Sequence, residues 1–81
     1  MEFRIVTPQE TLIYAVAWIE VNTPAGNFVI QPGHAPTILI LEKGREMNFR
    51  LVNGKQESFL VERGILEITR TTATLIVNKT E

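Results

Sequence analysis

Eighty-one residues are enough for one domain, taken here as residues 1–81, since domains run roughly 50–200 residues. Eight basic and nine acidic side chains leave a net charge of −1. That lacks the basic patch expected of a nucleic-acid binder. There is no cysteine, which rules out a disulfide framework and a thiolate metal site. The hydrophobic share of 44% is ordinary for a folded protein and too high for a disordered one. The start, Met1 to Pro8, is charged and strand-like, without the basic-then-apolar run of a signal peptide. No apolar stretch is long enough to cross a bilayer as a helix. A soluble, cytoplasmic protein is the expectation.

The first strand is read over Phe3, Ile5 and Thr7, alternating with Glu2, Arg4 and Val6 until Pro8 stops it. Residues 11–22 are rich in β-branched and aromatic side chains, which favours strand over helix. In period two, Ile13, Ala15, Ala17, Ile19 and Val21 share one face, and Leu12, Tyr14, Val16, Trp18 and Glu20 the other. Thr23 to Asn27 reads as a turn and Phe28 to Gln31 as a short strand. Pro32-Gly33-His34-Ala35-Pro36 is a loop holding two of the four prolines and the only histidine. Thr37 to Leu41 is almost wholly apolar, so a strand buried on both sides is expected.

Glu42-Lys43-Gly44 reads as the next turn. Two strand-like runs then flank Asn53-Gly54, a strong hairpin signal. A simple two-residue loop would set Met47 and Phe49 on the same face as Gln56 and Ser58. One bulged residue instead aligns them with Phe59 and Val61, so a type I turn with Gly54 left-handed is predicted. Two more strands follow, Ile65 to Thr69 and Ala73 to Asn78, joined at Arg70-Thr71-Thr72. Short strands with frequent turns predict an all-β fold. The expected form is a two-sheet antiparallel β-sandwich of about eight to ten short strands.

The pattern contains no catalytic constellation. One serine, Ser58, and one histidine, His34, stand in different segments with no nucleophile elbow. A single histidine with scattered glutamates does not make a metal site. The glycines mark turns, not a phosphate loop. No cofactor and no small-molecule ligand are expected. Asn78-Lys79-Thr80 has the form of a glycosylation acceptor, which has no meaning without secretion. His34 is either a brace for its loop or a partner contact. Tyr14 and Trp18 belong either to the core or to an exposed docking face.

Several runs together resemble the N-terminal β-sandwich domain of the epsilon subunit of F-type ATP synthase. These are Phe3 to Pro8, Gly26 to Pro36 with its Pro-Gly-His-Ala-Pro, Leu41 to Gly44, Gly64 to Ile68, and Ala73 to Val77. The resemblance implies a non-catalytic rotor part of the central stalk, bound to the gamma subunit and to the membrane c-ring. It would couple ion translocation to ATP synthesis and sit peripherally on the cytoplasmic face of the inner or plasma membrane. The loop the resemblance assigns to c-ring contact is Gly26, Asn27, Phe28, Val29, Ile30, Gln31, Pro32, Gly33 and His34. Asn27 stands where the family often has an acid, and Val29 where it often has glycine, so a more neutral contact is implied. Family members usually continue into a C-terminal helical hairpin. This sequence stops after its last strand; only if it is the whole protein is regulation by that hairpin expected to be absent. The alternatives are a free-standing sandwich binding a small ligand or carbohydrate through Tyr14 and Trp18, and a small hydrolase using His34.

Overall fold

Period-two alternation of β-branched, aromatic and aliphatic residues makes six strands in a computed structural model that describes residues 1–79. They are β1 (Glu2–Val6), β2 (Thr11–Thr23), β3 (Gly26–Ile30), β4 (Thr37–Leu51), β5 (Gln56–Ile68) and β6 (Thr72–Lys79). The fold is all-β and sandwich-like, as expected. The last position of the Asn78-Lys79-Thr80 triplet lies outside the described residues.

The strands run in the order β1-β6-β5-β4-β2-β3, and β1 also pairs with β2. The sheet therefore closes on itself through β1, β6, β5, β4 and β2, with β3 appended to β2. Every pairing is antiparallel except β1 with β6, which is parallel. This departs from an all-antiparallel arrangement for a simple reason. A ring of five strands cannot alternate direction all the way round, so one neighbouring pair must run the same way.

The strands are also fewer and longer than the eight to ten read from the sequence. Two supposed breaks are bulges inside continuous strands. At Glu42-Lys43-Gly44 the β4–β5 register shifts between Glu42 and Arg45, and Gly44 takes φ +70°. At Arg63-Gly64 the β5–β6 register shifts in turn. A bulge inserts an extra residue, bends the strand and increases its twist. That is how β4 and β5 each pass from one layer of the sandwich to the other.

A third bulge corrects the faces of β2. Its register with β4 shifts between Val16 and Trp18. The inward set changes parity there: Val16, Ile19 and Val21 are buried, while Ile13, Ala15 and Ala17 are exposed. Thr37 to Leu41 is likewise not buried on both sides. Leu41 points inward, but Ile38 and Ile40 are 64% and 72% exposed. Elsewhere strict alternation holds, with Phe3 and Ile5, Leu66 and Ile68, and Ala73, Leu75 and Val77 filling the interior.

Phe49 is the hub of this core. Its ring centroid lies 5.1 Å from that of Phe3, 5.2 Å from Tyr14 and 5.9 Å from Phe59. Edge and tilted packings of this kind add to the area the rings bury. Tyr14 is half-buried and packs against the core. The predicted hairpin register is the one found: Met47 pairs with Phe59 and Arg45 with Val61. Gly54 donates its N–H to Leu51 O at 2.9 Å and has φ +95°. Leu51 donates to Lys55 O at 2.8 Å, so the loop is a three-residue turn ending in a left-handed glycine.

Candidate contact surfaces

The nine residues assigned to the contact loop divide between a strand and a turn. Gly26–Ile30 form β3 at the edge of the sheet, paired with Ile19–Thr23 of β2. The turn entering β3 is held by Thr23. Its hydroxyl donates to Gly26 O at 2.9 Å and accepts from Ala25 N–H at 3.2 Å. Asn27 lies opposite Asn22 and donates from its side-chain amide to Asn22 Oδ1 at 2.6 Å. Gly26, Asn27 and Val29 are exposed and Phe28 is half-buried. Ile30 is fully buried in the core, so it anchors the strand and cannot touch a partner. Period two dictates this: with Asn27 and Val29 turned outward, Ile30 turns in.

Gln31 to His34 form one tight turn. Pro32 occupies its second position and Gly33, at φ +88°, its third. The His34 N–H donates to Gln31 O at 3.1 Å. This is a type II turn, whose third residue needs positive φ and whose second favours proline. The Gly33 N–H points the other way and donates to Arg70 O at 2.8 Å. Arg70 sits in the β5–β6 turn, which is itself held by Thr69. That hydroxyl accepts from Thr72 N–H at 3.0 Å and lies 2.8 Å from the Thr72 hydroxyl. Two turns remote in sequence are thus joined into one corner.

Gln31, Pro32, Gly33, Ala35 and Pro36 remain exposed at that corner, and His34 is half-buried. His34 Nδ1 lies 2.8 Å from Ala35 O, which can only accept, so Nδ1 carries the proton. Thr37 donates its hydroxyl to the same carbonyl at 2.9 Å. The imidazole braces its own loop.

A second surface was not legible as such in the sequence. On the outer face Ile40 pairs across to Ile65, and Ile65 to Ile76. The three are 72%, 45% and 46% exposed. They form an apolar row across three strands, with Ile38 beside it. A shallow hollow of about 280 Å³ lies along the row, with Glu42 and Arg63 at its margin. The signal was present in the run Thr37 to Leu41, whose apolar residues occupy both faces. It was read as double burial, although an outward apolar face is also what a docking surface requires.

The chemistry of catalysis is not gathered anywhere on these surfaces. Ser58 lies on β5 and His34 in the β3–β4 loop. Among the described residues, no group of three or more His, Asp or Glu could hold a metal ion. Tyr14 packs on Phe49 inside, whereas Trp18 follows the β2 bulge and neighbours the inward Ile19. The two rings thus face different sides and do not form one aromatic groove.

A family model described as the ATP synthase delta/epsilon chain β-sandwich domain matches residues 1–81. No curated protein matches the sequence. Among solved structures, the chain resembles one from the central stalk and c-ring of Tetrahymena thermophila mitochondrial ATP synthase. That match has TM-score 0.78 and 21% identity, over 98% of this chain and 63% of the other. A chain of Euglena gracilis mitochondrial ATP synthase, in an assembly of OSCP, F1 and c-ring in rotational state 1, matches with TM-score 0.82 and 17% identity. Coverage there is 98% of this chain and 51% of the other. The chain therefore spans between half and two thirds of these relatives. At such identities the likeness is one of fold.

Proposed function

The chain belongs to the ATP synthase delta/epsilon-chain β-sandwich family, and from that membership we infer that it is a non-catalytic rotor subunit of the central stalk. In this reading it joins the gamma subunit to the c-ring, so that ion flow turns the stalk and drives ATP synthesis elsewhere. It is peripheral to the membrane and works through interfaces alone. The observation that carries the reading is the family match over residues 1–81.

The geometry offers two surfaces of the required kind. The first is the corner around Pro32-Gly33-His34 together with the exposed edge of β3. It would meet the polar loops of the c-ring through Gly26, Asn27, Val29, Gln31, Pro32 and Gly33, with Phe28 and His34 behind them. Two prolines limit φ, and the bond from Gly33 to Arg70 O ties the corner to the β5–β6 turn. A contact that transmits torque must not yield, and this one is fastened at both ends. Neutral Asn27 makes the contact one of shape and hydrogen bonding more than of charge.

The second surface is the apolar row of Ile40, Ile65 and Ile76, which would face gamma. A standard interface buries about 800 Å² on each partner. The described surface of this chain is 4998 Å², so one such contact would cover about a sixth of it.

The absence of cysteine makes the test direct. Asn27→Cys and Ile65→Cys are single reporters for crosslinking in an assembly reconstituted with gamma and the c-ring. Asn27→Cys should crosslink to a c subunit and Ile65→Cys to gamma. Failure of the chain to co-purify with either partner would end the proposal, and exchanged crosslinks would reverse the two surfaces.

A further inference from the structure

A third surface lies between the layers, where the closed ring of strands leaves a gap beside the first half of β5. β6 pairs with the second half of β5, from Arg63 to Ile68. Among the described residues, the first half, Gln56 to Val61, pairs with β4 alone. Leu51 and Lys55 form a hydrogen-bonded pair, with Leu51 N–H donating to Lys55 O at 2.8 Å. In an antiparallel ladder such pairs recur at every second residue. Glu57 and Phe59 therefore turn their backbone groups toward β4. Gln56, Ser58 and Leu60 turn theirs away, to an edge with no partner strand among the described residues.

That edge fronts a hollow of about 390 Å³, bounded opposite by Thr7, Glu10, Leu12 and Tyr14. The volume falls in the range of about 300–1,000 Å³ usual for ligand sites. Its floor is apolar, with Phe49 packed against both Tyr14 and Phe59. Glu10 and Glu57 both line the hollow. Lys55 Nζ lies 3.6 Å from Glu57 Oε1.

We propose that this seam binds an extended segment of a partner protein by strand addition to β5, a segment in which apolar and basic residues alternate. Three features fix that chemistry. The unpaired N–H and C=O groups of Gln56, Ser58 and Leu60 give the backbone ladder. The aromatic floor takes the apolar side chains, which in a strand all lie on one face. Glu10 at the rim selects basic neighbours over acidic ones, whereas Glu57, opposite Phe49 and so on the floor's face, is held by Lys55. The site is separate from the corner and the isoleucine row, so it stands whether or not the rotor assignment does.

The test uses a blocked hexapeptide of alternating leucine and lysine, a leucine–glutamate counterpart, and a leucine–lysine version N-methylated at every second residue. Amide hydrogen exchange of the protein is followed by NMR. The leucine–lysine peptide should slow exchange at Gln56, Ser58 and Leu60 at least ten-fold and leave Glu57 and Phe59 unchanged. The other two peptides should not. Ser58→Pro removes an N–H that β4 does not use, so it should keep the fold and abolish the protection. Absence of protection with the leucine–lysine peptide overturns the proposal. So does equal protection by the N-methylated or the glutamate peptide. If the proline variant misfolds, the N-methylated peptide still decides the matter.

Discussion

Gly64 should resist replacement, although its φ is not in the left-handed region. It is buried in β5 at the bulge, paired with Leu41 on one side and Val77 on the other. A Cβ there would lie 2.8 Å from Ile76 O, 3.1 Å from Val77 Cγ1 and 3.4 Å from Leu75 Cδ1. The first atom is backbone of the neighbouring strand and cannot retreat without pulling the β5–β6 ladder apart. Overpacking of this kind costs about 1–3 kcal/mol. Against it stands a gain of about 0.4–1 kcal/mol from the stiffer unfolded chain. Gly64→Ala is therefore expected to lose about 1–2 kcal/mol net. A domain of this length holds roughly 4–12 kcal/mol in total, and each kcal/mol moves Tm by about 4–8 °C at this size. Thermal and urea unfolding followed by circular dichroism should show Tm lower by roughly 4–16 °C. An unchanged or raised Tm would refute the close-approach account of this residue.

Gly54→Ala should cost about 1–2 kcal/mol for a different reason, the left-handed backbone. Its Cβ would meet only the end of Arg50 at 3.8 Å. Gly54→Asn should recover much of that loss, since asparagine tolerates this region, and the two unfolding midpoints will tell. Phe49→Ala should remove about 3–5 kcal/mol, enough to leave the chain largely unfolded in moderate urea, whereas Phe49→Leu should remain folded. Pro32→Ala should lower stability by only about 0.4–1 kcal/mol but raise hydrogen exchange at His34 N–H. The double change Ile40→Lys and Ile65→Lys should leave Tm within a few degrees, since both side chains are exposed, yet weaken gamma binding at least ten-fold in a pull-down titration.

What the sequence revealed depended on whether period two survived along a strand. The hairpin at Asn53-Gly54 was legible to the residue, because burial of Met47, Phe49, Phe59 and Val61 on one face allowed only one register. The turn at Gln31 to His34 was marked by Pro-Gly in the order its geometry demands. The bulges were not legible. Gly44 and Gly64 looked like turns because glycine serves both purposes, and which one it serves depends on the partner strand. In β2 no glycine announces the bulge at all. Ala17 is tolerated on the outside because the shift delivers Ile19 and Val21 to the core. Of the nine residues assigned to the contact loop, Ile30 alone lies inside. Alternation from the exposed Asn27 and Val29 would have placed it there.

The pairing of β4 with β5 also explains why the two proposed contact surfaces can act as one body. β4 begins beside the corner at Pro36 and carries Ile38 and Ile40 on the outer row before it bends at Gly44. β5 carries Ile65 on the same row and ends at the Thr69–Thr72 turn, whose Arg70 carbonyl holds Gly33. The corner and the row therefore lie at the same end of these two strands, coupled by a continuous hydrogen-bonded ladder from Thr37↔Ile68 to Glu42↔Arg63. A load applied at Pro32-Gly33 reaches Ile65 through covalent chain and paired backbone, with no hinge between them. Cutting that path should separate stiffness from stability. Arg70→Pro keeps the carbonyl but disturbs the turn that aims it. It should speed exchange at the Gly33 N–H at least ten-fold while leaving Leu66 and Leu75 protected. If Gly33 stays as protected as before, the corner does not draw its rigidity from the β5–β6 turn.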